Sequence, residues 1–441
     1  MNNALPPLSL LGLGLAQNPD ERILRHPFVQ AADILVGGRE HLALFADHPA
    51  EKVVVGADIP AVLAVIQKNR AQGRSQVVLC GGDPLYFSLG SRLASLFPDA
   101  AILPALSSLQ GAAARLGLAW EDIRSVSLHG RNHWLPLAHA LAAGTPVFLL
   151  TDAASSPKTV AAFLEECGQS GYRLHVLDDL SLTPSGTVQA KEQRTLSVSG
   201  ALLWRESSPK PPRRVILLVP PENPEEAIFG LPDEEISREN NILTKGPARI
   251  AALAALGVAP QHIVWDLGAG SGSVGIEAAR LAWRGKVVAV EKKPERVAHI
   301  RANRRRFRAA NLEIVQGVLP GLLAGDISGA GLFGGLEDRP HRIFIGGGLG
   351  TDAPEAGELL RLAWKRLLPG GRLAAHCVLM GSLHRARLIL EKLGGTVHAL
   401  SLHACQGRPL AGDLRFEGLN PVFLLCASKS ARPAQSGEEG A

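Results

Sequence analysis

Thiols are scarce in this sequence, and those present do not pair: Cys80, Cys167, Cys377, Cys405 and Cys426 are odd in number and widely spaced, with no C-x-x-C among them. That pattern excludes a disulfide framework and a thiolate zinc site, so buried free thiols and no metal centre are expected. Aromatic residues make up only 5% of the 441 positions, too few for an interface of stacked bases or sugars. Long hydrophobic runs are missing too. Even Ile250 to Pro260 falls well short of the ~20 residues that span a bilayer. The Leu-rich stretch Leu8 to Leu15 has no Lys or Arg before it and no small-residue cleavage site after it, so no secretory signal is expected and the chain reads as cytoplasmic. Neither sign of charge dominates: 46 Lys and Arg stand against 41 Asp and Glu, and a net charge of +5 does not by itself indicate nucleic acid.

What is there is ordinary globular material, 46% apolar and 20% charged, with 47 Gly and 30 Pro that suit many tight turns. The length is roughly two to three common domains, which predicts two cores. In the first half, short runs at Leu8–Leu11, Lys52–Val55, Gln76–Cys80, Ser125–Leu128, Val147–Leu150 and Leu174–Leu177 alternate with Ala-rich helical periods, the signature of an α/β domain. RESSPKPPRR at Arg205–Arg214 and PPENPEE at 220–226 flank a strand-like Val215–Val219. The domain boundary is set at residue 222, with the allegiance of that strand open. Domains of 1–222 and 223–428 are expected, followed by a disordered tail over 429–441. The second half opens with a helical period at Pro247–Leu256. Strands follow at Ile263, Lys286–Val290, Leu312–Val315, Arg342–Ile345, Gly371–His376 and Pro421–Cys426.

The strand after Ile263 ends in Asp266 and runs into Gly268, Gly270, Gly272 and Gly275, which open a helix over Ile276–Leu281. Glycines there let a ligand approach the backbone, and the helix N-terminus offers unpaired N–H groups. Gly270-Ser-Gly272-Ser-Val-Gly275 also fits the weak dinucleotide pattern G-x-G-x-x-G. Glu291 closes the next strand about twenty residues on, where a carboxylate can accept from both hydroxyls of a ribose. Adenine dinucleotides and S-adenosylmethionine are both bound that way. Asp266, the helical lead-in and Leu368-Pro-Gly370-Gly371-Arg372 together look like the class I methyltransferase pattern, against the plainer readings of a packing turn and a solvated Glu291. Arg301, Arg304, Arg305 and Arg308 share one face of a predicted helix, either a solvated surface or a landing strip for a polyanion. An Asn/Asp-Pro-Pro-aromatic motif for amino methylation of nucleic acid is missing after Arg342–Ile345.

Two resemblances cover about residues 8 to 428. GLPDEE at Gly230–Glu235, Leu243-Thr244-Lys245, WDLGAGSGSVGIEAAR, IFIGGGLG and Asn420-Pro421-Val422 make the second half resemble the precorrin methyltransferase-decarboxylase domain of cobalamin biosynthesis. ADILVGGR at Ala32–Arg39, Gly81-Gly82-Asp83-Pro84-Leu-Tyr86-Phe87, Ser107-Ser108-Leu-Gln110 and Val126-Ser-Leu-His129-Gly130-Arg131 make the first half resemble the tetrapyrrole methylases. In that order the halves are similar to the bifunctional precorrin-6Y methyltransferase (decarboxylating) family. The resemblance implies an α/β chain with a two-lobed tetrapyrrole methylase domain before a Rossmann-like class I methyltransferase domain. It implies one S-adenosylmethionine per domain, held by Gly12, Gly82, Asp83, Pro84, Tyr86 and Ser108 in the first. In the second, the donor residues would be Asp266, Gly268, Gly270, Gly272, Glu291, Gly317 and Gly346.

Thr244, Lys245, Gln406 and Arg408 are the implied catalytic set, with Gln406 and Arg408 either a carboxylate clamp through bidentate arginine bonding or a surface pair on a hairpin. His129 and Arg131 are either substrate contacts or a polar strand end. This sequence departs from the family at Gly12-Leu-Gly14-Leu-Ala16, usually Gly-x-Gly-Pro-Gly, and at Pro104-Ala105, usually Pro-Gly. The implied substrate is a tetrapyrrole, with no nucleic acid or membrane partner and a homo-oligomeric state. Two other readings are an RNA methyltransferase working through the second half and a metabolite sensor without turnover.

Overall fold

The computed structural model describes residues 7–15, 21–130, 134–206, 212–222, 229–240, 243–325, 333, 336, 339–350 and 354–431. Ala16, Arg131, part of the Pro-rich boundary and 432–441 of the expected tail lie outside them. The chain divides into two compact units, one of 1–131, 145–159 and 173–219, the other of 132–144, 160–172 and 220–441. Along the chain the last crossing falls beside the expected boundary at 222, but two first-half segments group with the second unit.

The first unit is built on two sheets, in line with the two lobes the sequence implies. Leu8–Gly12 (β1), Ile34–Gly37 (β2), Glu51–Val54 (β3), Gln76–Cys80 (β4) and Ala101–Leu103 (β5) form a parallel sheet in the order β3-β2-β4-β1-β5. β1 and β4 are buried along their whole length, which is why they read as nearly unbroken apolar runs. Next come Arg124–Ser127 (β6), Val147–Leu150 (β7), Arg173–Asp178 (β8), Ser181–Leu182 (β9), Val188–Gln189 (β10), Glu192–Ser197 (β11) and Arg214–Val219 (β12). The second sheet runs β11-β8-β12-β7-β6, while β9 and β10 pair by themselves. β12 is the strand whose allegiance the sequence left open. It lies between β8 and β7, antiparallel to both, and so belongs to the first unit. Its buried Arg214 donates to Asp178 at 2.6 and 2.9 Å.

The second unit holds Ile263–Leu267 (β13), Lys286–Glu291 (β14), Leu312–Gln316 (β15), Arg342–Ile345 (β16), Arg372–Cys377 (β17), Thr396–Leu402 (β18), Cys405–Leu410 (β19), Asp413–Gly418 (β20) and Val422–Ser428 (β21). Seven of them form one sheet, β15-β14-β13-β16-β17-β21-β18, parallel except that β21 is antiparallel to both its neighbours. β19 and β20 make a separate hairpin. Strand order reverses at β13, so the loops after β13 and β16 flank the crevice where open α/β sheets take ligands. The helix Gly246–Leu256 buries Ala252, Leu253 and Leu256 in the same core as Val264, Val287 and Phe344, and ends at Gly257 in the left-handed conformation.

The arginine row does not form one open face. Arg304 is buried and donates to Glu166 Oε1 at 2.7 Å and to the Cys167 thiol at 3.3 Å. Arg306 pairs with Glu235 at 3.0 Å. The helix stops at Arg306, and Arg308 follows with φ of 54°, off the helical spacing that put it in the row. Cys405 also departs from expectation: it is exposed on the hairpin, while Cys80, Cys167 and Cys377 are buried. No helix among the described residues is long and apolar enough to cross a membrane.

Candidate active sites

A cavity of about 410 Å³ in the second unit is walled by Gly268, Gly270 and Ser271 after β13, by Gly346 and Gly347 after β16, and by Thr244 and Lys245 ahead of the helix Gly246–Leu256. The glycine loop turns into the helix Ser273–Leu281 through Gly272, whose φ is 76° and where a Cβ would lie 2.8 Å from Ile300. Only glycine satisfies both conditions. Asp266, 1% exposed, accepts the Gly275 N–H at 2.8 Å through Oδ2, while its Oδ1 has no hydrogen-bond partner among the described residues. Burial pushes its carboxyl up to about 7, against the lowering effect of the Gly275 bond.

Glu291 is also buried, and its oxygens are largely engaged. Oε2 accepts from Gly270 N–H at 2.9 Å, and Oε1 from Lys292 and Lys293 N–H at 2.9 and 3.1 Å. Of about four lone-pair positions on a carboxylate, three are taken among the described residues, and Glu291, like Asp266, does not line the cavity. Gly317 donates to the Glu291 carbonyl at 3.0 Å and does not line the cavity.

Thr244 and Lys245 are at the cavity as expected, whereas Gln406 and Arg408 are not. Those two stand exposed on β19, with Arg408 3.7 Å from Glu417 on the neighbouring strand. Three polar wall residues outside the glycine loop were not among the candidate site residues. Arg296 donates to Glu239 at 2.8 Å, Asn420 precedes β21, and His376 stands near the end of β17. Asn420 was quoted only as part of a motif. The His376 ring meets Phe344 edge-on at 5.0 Å, and burial holds its pKa down to about 4, so it is neutral near pH 7. Its position at the C-terminal end of a parallel strand was the available signal.

In the first unit the loop after β4 folds back on β1. Gly14 and Gly82 form a β-bridge, and a Cβ on Gly12 would lie 2.7 Å from Ala105 Cβ, 2.8 Å from Gly82 O and 2.9 Å from Pro84 Cδ. Asp83 accepts from Leu85 N–H at 2.8 Å and from Ala105 N–H at 3.1 Å, so Gly12, Gly82, Asp83 and Pro84 are gathered with the 104–108 segment. Ala105, one of the family departures, is the residue that closes on Gly12. The Tyr86 hydroxyl donates to Ser125 Oγ at 2.8 Å, and burial pushes its pKa up to about 12. Ser108 begins the helix Ser108–Leu116, but the cap is Ser107, in a capping box with Gln110. His129 Nδ1 lies 3.3 Å from the Thr151 carbonyl, a strand-end contact.

Comparison with known proteins gives the same two halves. Residues 28–193 match the tetrapyrrole (corrin/porphyrin) methylases, and residues 235–429 match the precorrin methyltransferase domain. A cobalt-precorrin-7 C(5)-methyltransferase of Salmonella typhimurium is 35% identical over 178 residues, covering 39% of this chain and 84% of that one. A cobalt-precorrin-6B C(15)-methyltransferase (decarboxylating) of the same organism is 31% identical over 199 residues, covering 45% and 95%. A precorrin-6Y C(5,15)-methyltransferase (decarboxylating) of Sinorhizobium sp is 30% identical over 441 residues, covering 95% of each chain. A likeness that runs across both glycine loops and almost end to end decides the matter, and the chain belongs to the precorrin-6Y C(5,15)-methyltransferase (decarboxylating) family.

Proposed function

We propose that this chain uses S-adenosylmethionine to methylate two bridging carbons of a precorrin-type tetrapyrrole and removes carbon dioxide from one acetate side chain, a step of cobalamin biosynthesis. The observation that carries the reading is the likeness to a precorrin-6Y C(5,15)-methyltransferase (decarboxylating) over 95% of both chains. A glycine loop in each half supports one donor site per half. In this reading residues up to about 222 carry one methylation, and the second half carries the other together with the decarboxylation.

The residues of the second unit fit such a donor. Asp266 Oδ1 is a buried polar atom with no partner among the described residues, Glu291 keeps one lone pair, and Gly268 and Gly270 expose backbone to the cavity. Bound there, the donor supplies a methyl group on a sulfonium sulfur. The electron-rich macrocycle is its own nucleophile, so the chain needs no Ser/His or Cys/His device. Its task is to hold the acceptor carbon in near-attack geometry, which is worth several orders of magnitude in rate. At about 410 Å³ the cavity is at the small end of ligand sites, suited to the donor and one edge of the macrocycle.

Lys245 and Arg296 are cations on its wall, and they replace Arg408 as the groups that orient the substrate's carboxylates. Thr244 and neutral His376 can hydrogen-bond to the acetate or ring without adding charge. A homo-oligomer belongs to the same proposal, supported by the exposed Leu414 and Phe416 on β20. The test is mass spectrometry of the product from full-length protein, tetrapyrrole and donor. Two methyl groups gained and one carbon dioxide lost is the expected result. Methylation without that loss rejects the decarboxylase, and no methyl transfer rejects the whole reading.

A further inference from the structure

The helix Gly246–Leu256 begins with a poor cap. Lys245 occupies the N-cap position with extended backbone and makes no side-chain cap bond. Ser, Thr, Asp or Asn are preferred there, and a cation opposes the helix dipole. The missing cap is supplied from a distance, since Asp233 Oδ2 accepts the Gly246 N–H at 3.3 Å. Asp233 Oδ1 accepts from Arg249 Nη1 at 3.0 Å, and the same nitrogen donates to the Thr244 carbonyl at 2.8 Å. Arg249 is wholly buried. Its Nε donates to Glu277 Oε1 at 2.5 Å and its Nη2 to the Leu231 carbonyl. Glu277, equally buried, accepts from Gly230 and Leu231 N–H at 2.7 and 3.1 Å, and it stands in the helix that leaves the glycine loop.

These charges therefore join the two walls of the cavity, Thr244–Lys245 on one side and the glycine loop's helix on the other, without lining it. Stability alone is a weak reason to keep such a cluster, because well-packed apolar residues often serve as well as a buried ion pair. We propose that Asp233, Arg249 and Glu277 are positioning residues that fix the Thr244–Lys245 wall against the glycine loop for methyl transfer. They free Lys245 to occupy a cap position for its charge while the capping is done by Asp233. GLPDEE, a motif with no role of its own in the cavity, becomes the outer arm of this brace. The kinetic half of the inference rests on the function proposed above.

Asp233→Ala and Arg249→Lys in the full chain test it. Lysine keeps a charge opposite Glu277 but cannot reach Asp233, Thr244 and Glu277 together. Asp233, with its side chain 26% exposed, offers the milder substitution should Arg249→Lys fail to fold. Amide exchange read by mass spectrometry should accelerate about tenfold in peptides covering 243–256 and little elsewhere. kcat for the second-half methylation should fall about tenfold or more, with the donor Kd from calorimetry within about threefold of the unsubstituted chain. Unchanged local exchange overturns the brace, and faster exchange with kcat retained overturns its role in positioning. Exchange that accelerates throughout the unit, with donor binding lost alongside kcat, overturns it in favour of a merely structural part. An unsubstituted chain that neither binds donor nor methylates the tetrapyrrole refutes the proposed function instead, and the exchange comparison still decides the brace.

Discussion

Asp83 and Asp266 each stand at the glycine-rich loop of their half. Asp83 is half-buried and both its oxygens are engaged, one by Leu85 N–H and one by Ala105 N–H. Asp266 lies deeper and, among the described residues, has a partner for one oxygen only. The first carboxylate is spent on the loop's own shape. The second is left under-satisfied, and a buried polar atom without a partner calls for an explanation that a ligand can provide. Identical residue types at superficially similar turns thus do different things. One shapes its loop, and the other keeps a buried oxygen with no partner among the described residues.

The sharpest way to break the comparison is Gly12→Val, whose side chain must displace Ala105, Gly82 and Pro84. First-half methylation should fall about a hundredfold or more, and mass spectrometry should show a singly methylated, decarboxylated product. Loss of both methylations would mean the two loops do not act separately.

Asp266→Asn comes next and acts through pH. The folded carboxyl stays protonated up to about pH 7, whereas the unfolded chain ionises it near 3.8. Its contribution is complete below about pH 4 and drains by about 1.4 kcal/mol per pH unit as pH rises to 7. Ligand-free denaturation curves of the asparagine variant should lack that slope, and an unaltered slope would show that Asp266 is not the titrating group.

Asp83→Asn should cost about 1–3 kcal/mol, because an amide NH₂ then faces a backbone N–H that had an acceptor. Chemical denaturation reads that loss, and an unchanged midpoint would show that the two bonds do not hold the loop. The smallest effect belongs to Arg408→Ala. With its side chain 62% exposed beside Glu417 and off the cavity, decarboxylation should stay within about twofold. A hundredfold loss would return Arg408 to the site.

Legibility in the sequence followed contiguity. The glycine loop, Asp266, Thr244 and Lys245 lie in short unbroken motifs whose local geometry already brings them near a strand end, and of these Gly268, Gly270, Thr244 and Lys245 line the cavity while Asp266 does not. Arg296 lies in the helix after β14, His376 in β17 and Asn420 in the loop before β21, so they converge only once the sheet is assembled and no window of sequence holds them together. Most buried apolar strands were readable, although β2, buried along its length, was met only inside a motif. β18, β19 and β20 were not readable, because exposed strands alternate weakly or carry polar residues on both faces. The arginine row failed for a helical reason, since periodicity projected through Arg308 past a helix that ends at Arg306.

β12 sits in the middle of its sheet, yet it is the last strand of the first unit to leave the ribosome. Until Val219 emerges, β7 has only β6 and β8 has only β11, two ribbons separated by the width of one missing strand. A nascent chain halted just short of the linker therefore shows two open sheet edges to its surroundings, the condition under which strands pair with the wrong chain. Vectorial synthesis cannot finish the first unit early. It closes only as the ribosome is already translating the passage into the second.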